Sequence, residues 1–181
     1  MSPQSKPDAI SLLKADHRKV EGLFEKYERS KEAAKKQALS HEICMELLVH
    51  TTIEEEIFYP ACKAAGVEED DLEEAYVEHD GAKVLIAELL SSSSDADFYD
   101  AKVKVLSEQI KHHVKEEEKR SEGLFAQARA DGVAIDDLGE RMMARKKELL
   151  LRFKTSGLPV PETRSFTGHK MQQGEPVTAD N

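Results

Sequence analysis

Two histidine-to-glutamate steps of four residues constrain this chain more than anything else in it: His50-Thr-Thr-Ile-Glu54 and His113-Val-Lys-Glu-Glu117. Four residues turn a helix by about 400°, so each pair stands one turn apart on nearly one face, where both side chains reach a common point. A solitary pair of this kind is ordinarily a solvated surface contact. Here each pair is preceded by a further histidine at nearly the same distance, His17 lying 33 residues before His50 and His79 lying 34 before His113. The chain therefore carries one pattern twice, a helix with one histidine followed by a helix with the spaced pair. Two similar helical hairpins follow from such a repeat.

Apolar periodicity places all six residues on helix seams. Asp8 is a credible N-cap for a first helix over about Ala9–Arg29, with Ile10, Leu13, Val20, Phe24 and Tyr27 at steps of three and four and His17 inside that series. The second helix, about Lys31–Ala65, runs Ile43, Leu47, Ile57 and Ala61, completed by His50 and Glu54; Pro60 bends or ends it and Gly66 closes it. A third, about Leu72–Leu90, sets His79 at the missing step of Leu72, Tyr76, Ile86 and Leu90. The fourth, about Ala96–Ala130, carries Val103, Leu106 and Ile110 in register with His113 and Glu117. After Gly132, Asp136 or Asp137 caps a shorter fifth helix with Leu138, Met142, Leu149 and Phe153 available for packing. The expected organisation is a flexible N-terminus over 1–8, a bundle domain over 9–130, an accessory helix over 131–154 and an extended or disordered tail over 155–181. Ser165–Phe166 is the tail's one plausible docking point.

Composition supports an all-α chain, with 39% hydrophobic, 34% charged and only 6% aromatic residues and no Trp. A net charge of −10 repels a phosphate backbone, so nucleic acid is a poor partner. No segment approaches the roughly 18 apolar residues that span a bilayer, and the N-terminus lacks the apolar stretch of a signal peptide, which suggests a cytoplasmic protein. Cys44 and Cys62 form no CxxC pair and are read as reduced thiols.

Six ionisable groups on apolar seams would each cost several kcal/mol if left unpaired, and a shared metal site removes that penalty. A core network in which the histidines only hydrogen-bond the carboxylates is the bland alternative, but one of that size is seldom kept without function. Imidazole and carboxylate donors without thiolate suit iron or manganese better than a closed zinc site, and six donors are too many for one tetrahedral ion. Two ions sharing Glu54 and Glu117 fit the number of donors.

The set Asp16-His17, His50-x3-Glu54-Glu55 followed by Phe58-Tyr59-Pro60, Glu78-His79, and His112-His113-x3-Glu117-Glu118 resembles the hemerythrin-like HHE cation-binding domains, over about residues 9–129. The resemblance implies an antiparallel up-down four-helix bundle around an oxo- or hydroxo-bridged, non-haem di-iron centre. His17, His50, His79 and His113 would be its terminal ligands, and Glu54 and Glu117 its bridges. The family's oxygen carriers place a second histidine one turn from the first on the third helix, where this chain has Ala75 and Lys83. That departure argues against reversible oxygen carriage. The expected function is a di-iron protein that binds, senses or reacts with oxygen, peroxide or nitric oxide. The alternatives are an enzyme processing peroxide or nitric oxide at the same centre and a metal-free helical protein that binds a partner.

Other tempting residues are read conservatively. His112 is rotated about 100° from His113 and points outward. His41 and His169 are solvated. Tyr76, one turn before His79, is core, with a reach to the metal as its alternative. Lys83 snorkels outward, and Glu55, Glu56, Glu116 and Glu118 are charges on solvated faces.

Overall fold

The computed structural model describes residues 7–166 together with Gly168 and Gly174. Helix α1, Ala9–Arg29, opens where Asp8 accepts a 2.7 Å bond from the Ser11 N–H, satisfying one of the donors that a helix start leaves without a partner. Helix α2, Ala33–Ile53, runs into a π-helical turn, Glu54–Phe58, and on into α3, Tyr59–Ala65, which Gly66 ends at φ 97°. Helix α4, Glu69–Leu90, starts before its apolar stripe because Glu69, Asp70 and Asp71 suit the positive end of the helix. Helices α5, Tyr99–Glu117, α6, Leu124–Ala130, and α7, Ile135–Ser156, follow.

A single fourth helix over about Ala96–Ala130 is corrected by this structure: α5 stops after Glu117 and α6 begins at Leu124. No apolar residue lies between Val114 and Leu124, so a continued helix would have had nothing to bury. Gly123 turns back against the end of α5 so closely that a Cβ there would lie 2.6 Å from the carbonyl oxygens of Glu116 and Glu117.

Helix α1 packs on α2 and α4 on α5, and the two hairpins meet through α2 with α4 and α1 with α5, an antiparallel up-down four-helix bundle. Ile10, Leu13, Ile43, Ile53, Ile86 and Leu106 are buried along its axis. Helix α7 lies over α1 and α2. Gly139 permits the crossing, since a Cβ there would meet the Pro7 carbonyl oxygen at 2.4 Å. Arg145 grips Glu56 through two bonds of 2.7 and 2.9 Å, and Lys146 pairs with buried Asp16, so this accessory helix reaches the residues beside the cluster.

Beyond α7 the chain returns to α4. There the backbone N–H groups of Arg164 and Ser165 and the Ser165 hydroxyl all donate to Asp80 Oδ2, at 2.7, 2.6 and 2.7 Å. Ser165 docks as anticipated, whereas Phe166 stays 46% exposed. His169 and residues 1–6 lie outside the described residues. Cys44 and Cys62 are buried and not joined in a disulfide, and burial pushes each thiol up to about 12. Among the described residues no helix is long and apolar enough to cross a membrane.

Candidate metal centre

All four helices of the bundle contribute to one buried cluster at mid-height. His17 Nε2 stands 3.2 Å from His50 Nε2, and His79 Nε2 stands 3.2 Å from His113 Nε2, so the imidazoles form two facing pairs. Glu54 Oε2 lies between the pairs, 3.0 Å from His50 Nε2 and 3.3 Å from His79 Nε2. Glu117 Oε2 does the same from the other hairpin, 3.4 Å from His17 Nε2 and 3.5 Å from His113 Nε2. Metal bonds of about 2.1 Å separate neighbouring ligand atoms by roughly 3.0–3.4 Å, so the donors already stand at coordination spacing. Two overlapping groups can hold an ion: His17, His50, Glu54 and Glu117, and Glu54, His79 and His113.

Behind these donors stands a second ring of carboxylates that obeys the same two-fold repeat. His17 Nδ1 donates to Glu118 at 2.8 Å, His79 Nδ1 to Glu55 at 3.0 Å and His113 Nδ1 to Glu78 at 2.8 Å. His50 Nδ1 faces Asp16 at 3.7 Å, too far for a hydrogen bond. The acid before each single histidine, Asp16 or Glu78, thus turns to the paired histidine of its own hairpin. The glutamate after each bridging position, Glu55 or Glu118, reaches the single histidine of the other hairpin. The hairpins are cross-linked through their imidazoles.

Several sequence readings are corrected here. Glu55 is not on a solvated face: it is buried, and beyond His79 it accepts from Lys83 Nζ at 2.7 Å. Glu118 is half-buried against His17. Lys83 does not snorkel outward; it is buried between Glu55 and Asp80, the latter at 3.2 Å. Glu56 and His112 do face solvent, while Glu116 is half-buried and pairs with Lys119. The repeated doublets Asp16-His17 and Glu78-His79, and Glu54-Glu55 and Glu117-Glu118, are the sequence signal that could have found Glu55 and Glu118.

The tyrosine at the centre is Tyr59 and not Tyr76. Its buried hydroxyl donates to Glu117 Oε1 at 3.1 Å and lies 3.2 Å from His79 Nε2, whereas Tyr76 is half-buried with its ring edge-on to Tyr59 at 5.3 Å. In an unbroken α-helix Tyr59 would stand about 140° around the axis from Glu54. The π turn, in which the Tyr59 N–H bonds the Glu54 carbonyl five residues back, brings the two onto one face. Pro60 favours that turn because it has no N–H for the carbonyl four residues before it.

Whether this cluster fits a metal follows from its hydrogen bonding. Three imidazoles donate from Nδ1, so in the neutral ring their Nε2 atoms are bare lone pairs, and these converge on two carboxylates. Glu54 Oε1 and Glu117 Oε2 are buried without a hydrogen-bond partner. Burial opposes charge on His50, yet Glu54 and Asp16 outweigh it and push the imidazole up to about 10. Burial likewise opposes the Glu54 carboxylate, yet His50 and His79 hold it well below its ordinary value. The cluster attracts positive charge, as proton or as cation, and a metal replaces those protons.

The sequence profile of the hemerythrin HHE cation binding domain matches residues 8–124. Among solved structures, a hemerythrin HHE cation binding domain-containing protein from Mycobacterium kansasii superimposes with a TM-score of 0.68 at 23% identity, over 84% of this chain and 95% of that one. An uncharacterized protein of Mycobacterium tuberculosis is 27% identical over 143 residues, 78% of this chain and 87% of its own length. A Nostoc sp. protein described as a DNA nickase is 30% identical over 107 residues, 59% of this chain, and the match spans only 30% of the nickase. With the profile covering the whole bundle and a buried histidine–glutamate cluster inside it, this chain belongs to the hemerythrin HHE cation-binding domain family.

Proposed function

We propose that the chain holds two iron ions, with His17 and His50 on one, His79 and His113 on the other and Glu54 and Glu117 between them, and that this centre binds, senses or reacts with oxygen, peroxide or nitric oxide. One observation carries the ligand class: all four histidines line a space of about 10 Å³, walled by Val20, Leu47, Ile110 and Val114. That is room for about one water-sized molecule. An organic substrate does not fit there, and the apolar wall favours a small neutral ligand. Bound iron would supply redox and Lewis-acid chemistry. The chain's own part is to orient the rings through Glu118, Glu55 and Glu78 and to exclude bulk water.

Elemental analysis of the purified protein, with a visible spectrum in air and after anaerobic reduction, tests this reading. About two irons per chain and a charge-transfer absorption that bleaches on reduction are expected. A metal-free chain with full helical content would leave the partner-binding alternative in its place.

The Tyr59 hydroxyl favours turnover of peroxide or nitric oxide as a second reading, because it is buried and holds a proton 3.1 Å from Glu117 Oε1. Tyr59→Phe removes that proton while keeping the ring. Iron content should be retained and peroxide consumption should fall roughly tenfold or more. Unchanged peroxide consumption in Tyr59→Phe would reject this role.

A further inference from the structure

Helix α5 separates two very different mouths of the cluster. On the α1 side, a groove reaching His17 is lined by Arg18, Lys111, Lys115, Lys119 and Arg120 against the two acids Glu21 and Glu118, both paired with Arg18, so its lining is net positive and disfavours a metal cation. On the α4 side, a crevice of about 180 Å³ is lined by Asp71, Glu74, Glu78, Glu116, Glu122 and, at its floor, Glu117 beside His113. Lys119 is the one lysine or arginine on that lining, and Glu116 pairs with it. The crevice also borders the C-terminal end of α5, where the helix dipole adds negative potential.

Two features distinguish this crevice from a mere acidic surface. Glu117 is only 3% exposed, and its Oε2 has no hydrogen-bond partner although the residue lines the crevice. A buried carboxylate oxygen without a partner at the foot of a polar crevice is a place for a cation. Further out, Glu74, Glu78 and His112 each offer a ligand atom, all within 4.8 Å of one another. Glu78 joins the two levels: one oxygen lies 3.3 Å from the exposed His112 Nε2 and the other accepts from the buried His113 Nδ1 at 2.8 Å.

We propose that this crevice is the entry route of the divalent metal ion, and that Glu74, Glu78 and His112 form an outer site that takes the ion from solvent and passes it to Glu117 and His113. The proposal rests on the metal-centre reading above. The outer site has carboxylate and imidazole donors, matching the centre it feeds, so an ion exchanges water for protein ligands in stages. The crevice has room for several waters, and the ion sheds them as it descends. A cleft lined by charge of one sign raises the on-rate of the opposite charge by roughly 10- to 1000-fold, an advantage that salt diminishes.

The test is anaerobic loading of the full-length apo-protein with Fe²⁺, followed by stopped flow against a coloured ferrous chelator, with iron content measured at equilibrium. Glu74→Gln combined with His112→Ala should load roughly tenfold more slowly and still reach the wild-type content. Glu74→Gln alone, an exposed change, should show part of that slowing. Glu28→Gln, roughly three turns along α1 from His17, should load at the wild-type rate. Mn²⁺ titration by electron paramagnetic resonance should find one weak ion in the wild type beyond those of the centre, lost in the double variant. The route is overturned if the double variant loads within twofold of the wild type, or if Glu28→Gln slows loading equally. Absence of the weak Mn²⁺ ion from the wild type overturns the outer site. A wild-type chain that takes up no iron overturns the centre itself, a result distinct from all of these.

Discussion

Replacing Glu117 with alanine is expected to lower bound iron from about two ions per chain to fewer than one, with affinity reduced by well over 100-fold. The size of the effect follows from position. Glu117 Oε2 approaches a nitrogen of each histidine pair, at 3.4 Å from His17 and 3.5 Å from His113, so its loss opens both halves together. Removing an outer-shell partner of a metal ligand typically costs 10- to 100-fold, and in the proposed two-iron centre the loss of a carboxylate placed between the ions would exceed that. His50→Ala should act in the same direction through one half, leaving Glu54 without its 3.0 Å neighbour. His41→Ala, on the exposed side of α2, should leave content unchanged. Elemental analysis after desalting decides the matter: full iron in both ligand variants would remove these residues from the centre.

Lys83→Ala should be the most damaging single change away from the donors themselves, at about 3–5 kcal/mol of folding stability. The ammonium is buried and joins Glu55 at 2.7 Å to Asp80 at 3.2 Å. Its removal leaves two buried carboxylates without their shared cation, Glu55 keeping His79 and the Arg164 side chain and Asp80 keeping the Arg164 and Ser165 N–H groups and the Ser165 hydroxyl. The exposed Lys104, whose pair with Glu108 spans 4.0 Å, provides the contrast: Lys104→Ala should change stability by less than about 1 kcal/mol. Thermal melts of the two variants test this, and equal midpoints would show that Lys83 is solvated.

The same carboxyls determine a pH dependence. Burial pushes Glu55 upward, but bonds from His79 and Lys83 hold it below its ordinary value. Burial also raises Asp80, which the bonds from Ser165, Arg164 and Lys83 more than offset. Stability from such depressed groups is present above their unfolded values, near 4, and is lost as pH falls through the lower folded ones. The wild type should therefore lose stability on acidification, and the strap carrying Ser165 should loosen with it.

Helical periodicity, read from the chain alone, placed His17, His50, Glu54, His79, His113 and Glu117 on apolar seams, and the cluster draws all six together. That inference works because a residue's face in a regular helix depends only on its separation from its neighbours along the chain. It fails wherever the helix stops being regular or the partner comes from another helix. The π turn shifted Tyr59 onto the face of Glu54, so the tyrosine bonded to the cluster was one that α-helical spacing points away. The interruption after Glu117 came from a stretch with nothing to bury and a glycine fitted against two carbonyls. Glu55, Glu118 and Lys83 read as surface charges because their partners lie on other helices or are themselves buried, and a single helix shows neither. Spacing along one helix determined which residues would line the centre; only the packing of all four, and the strap laid across α4, decided which charges would be buried to hold it.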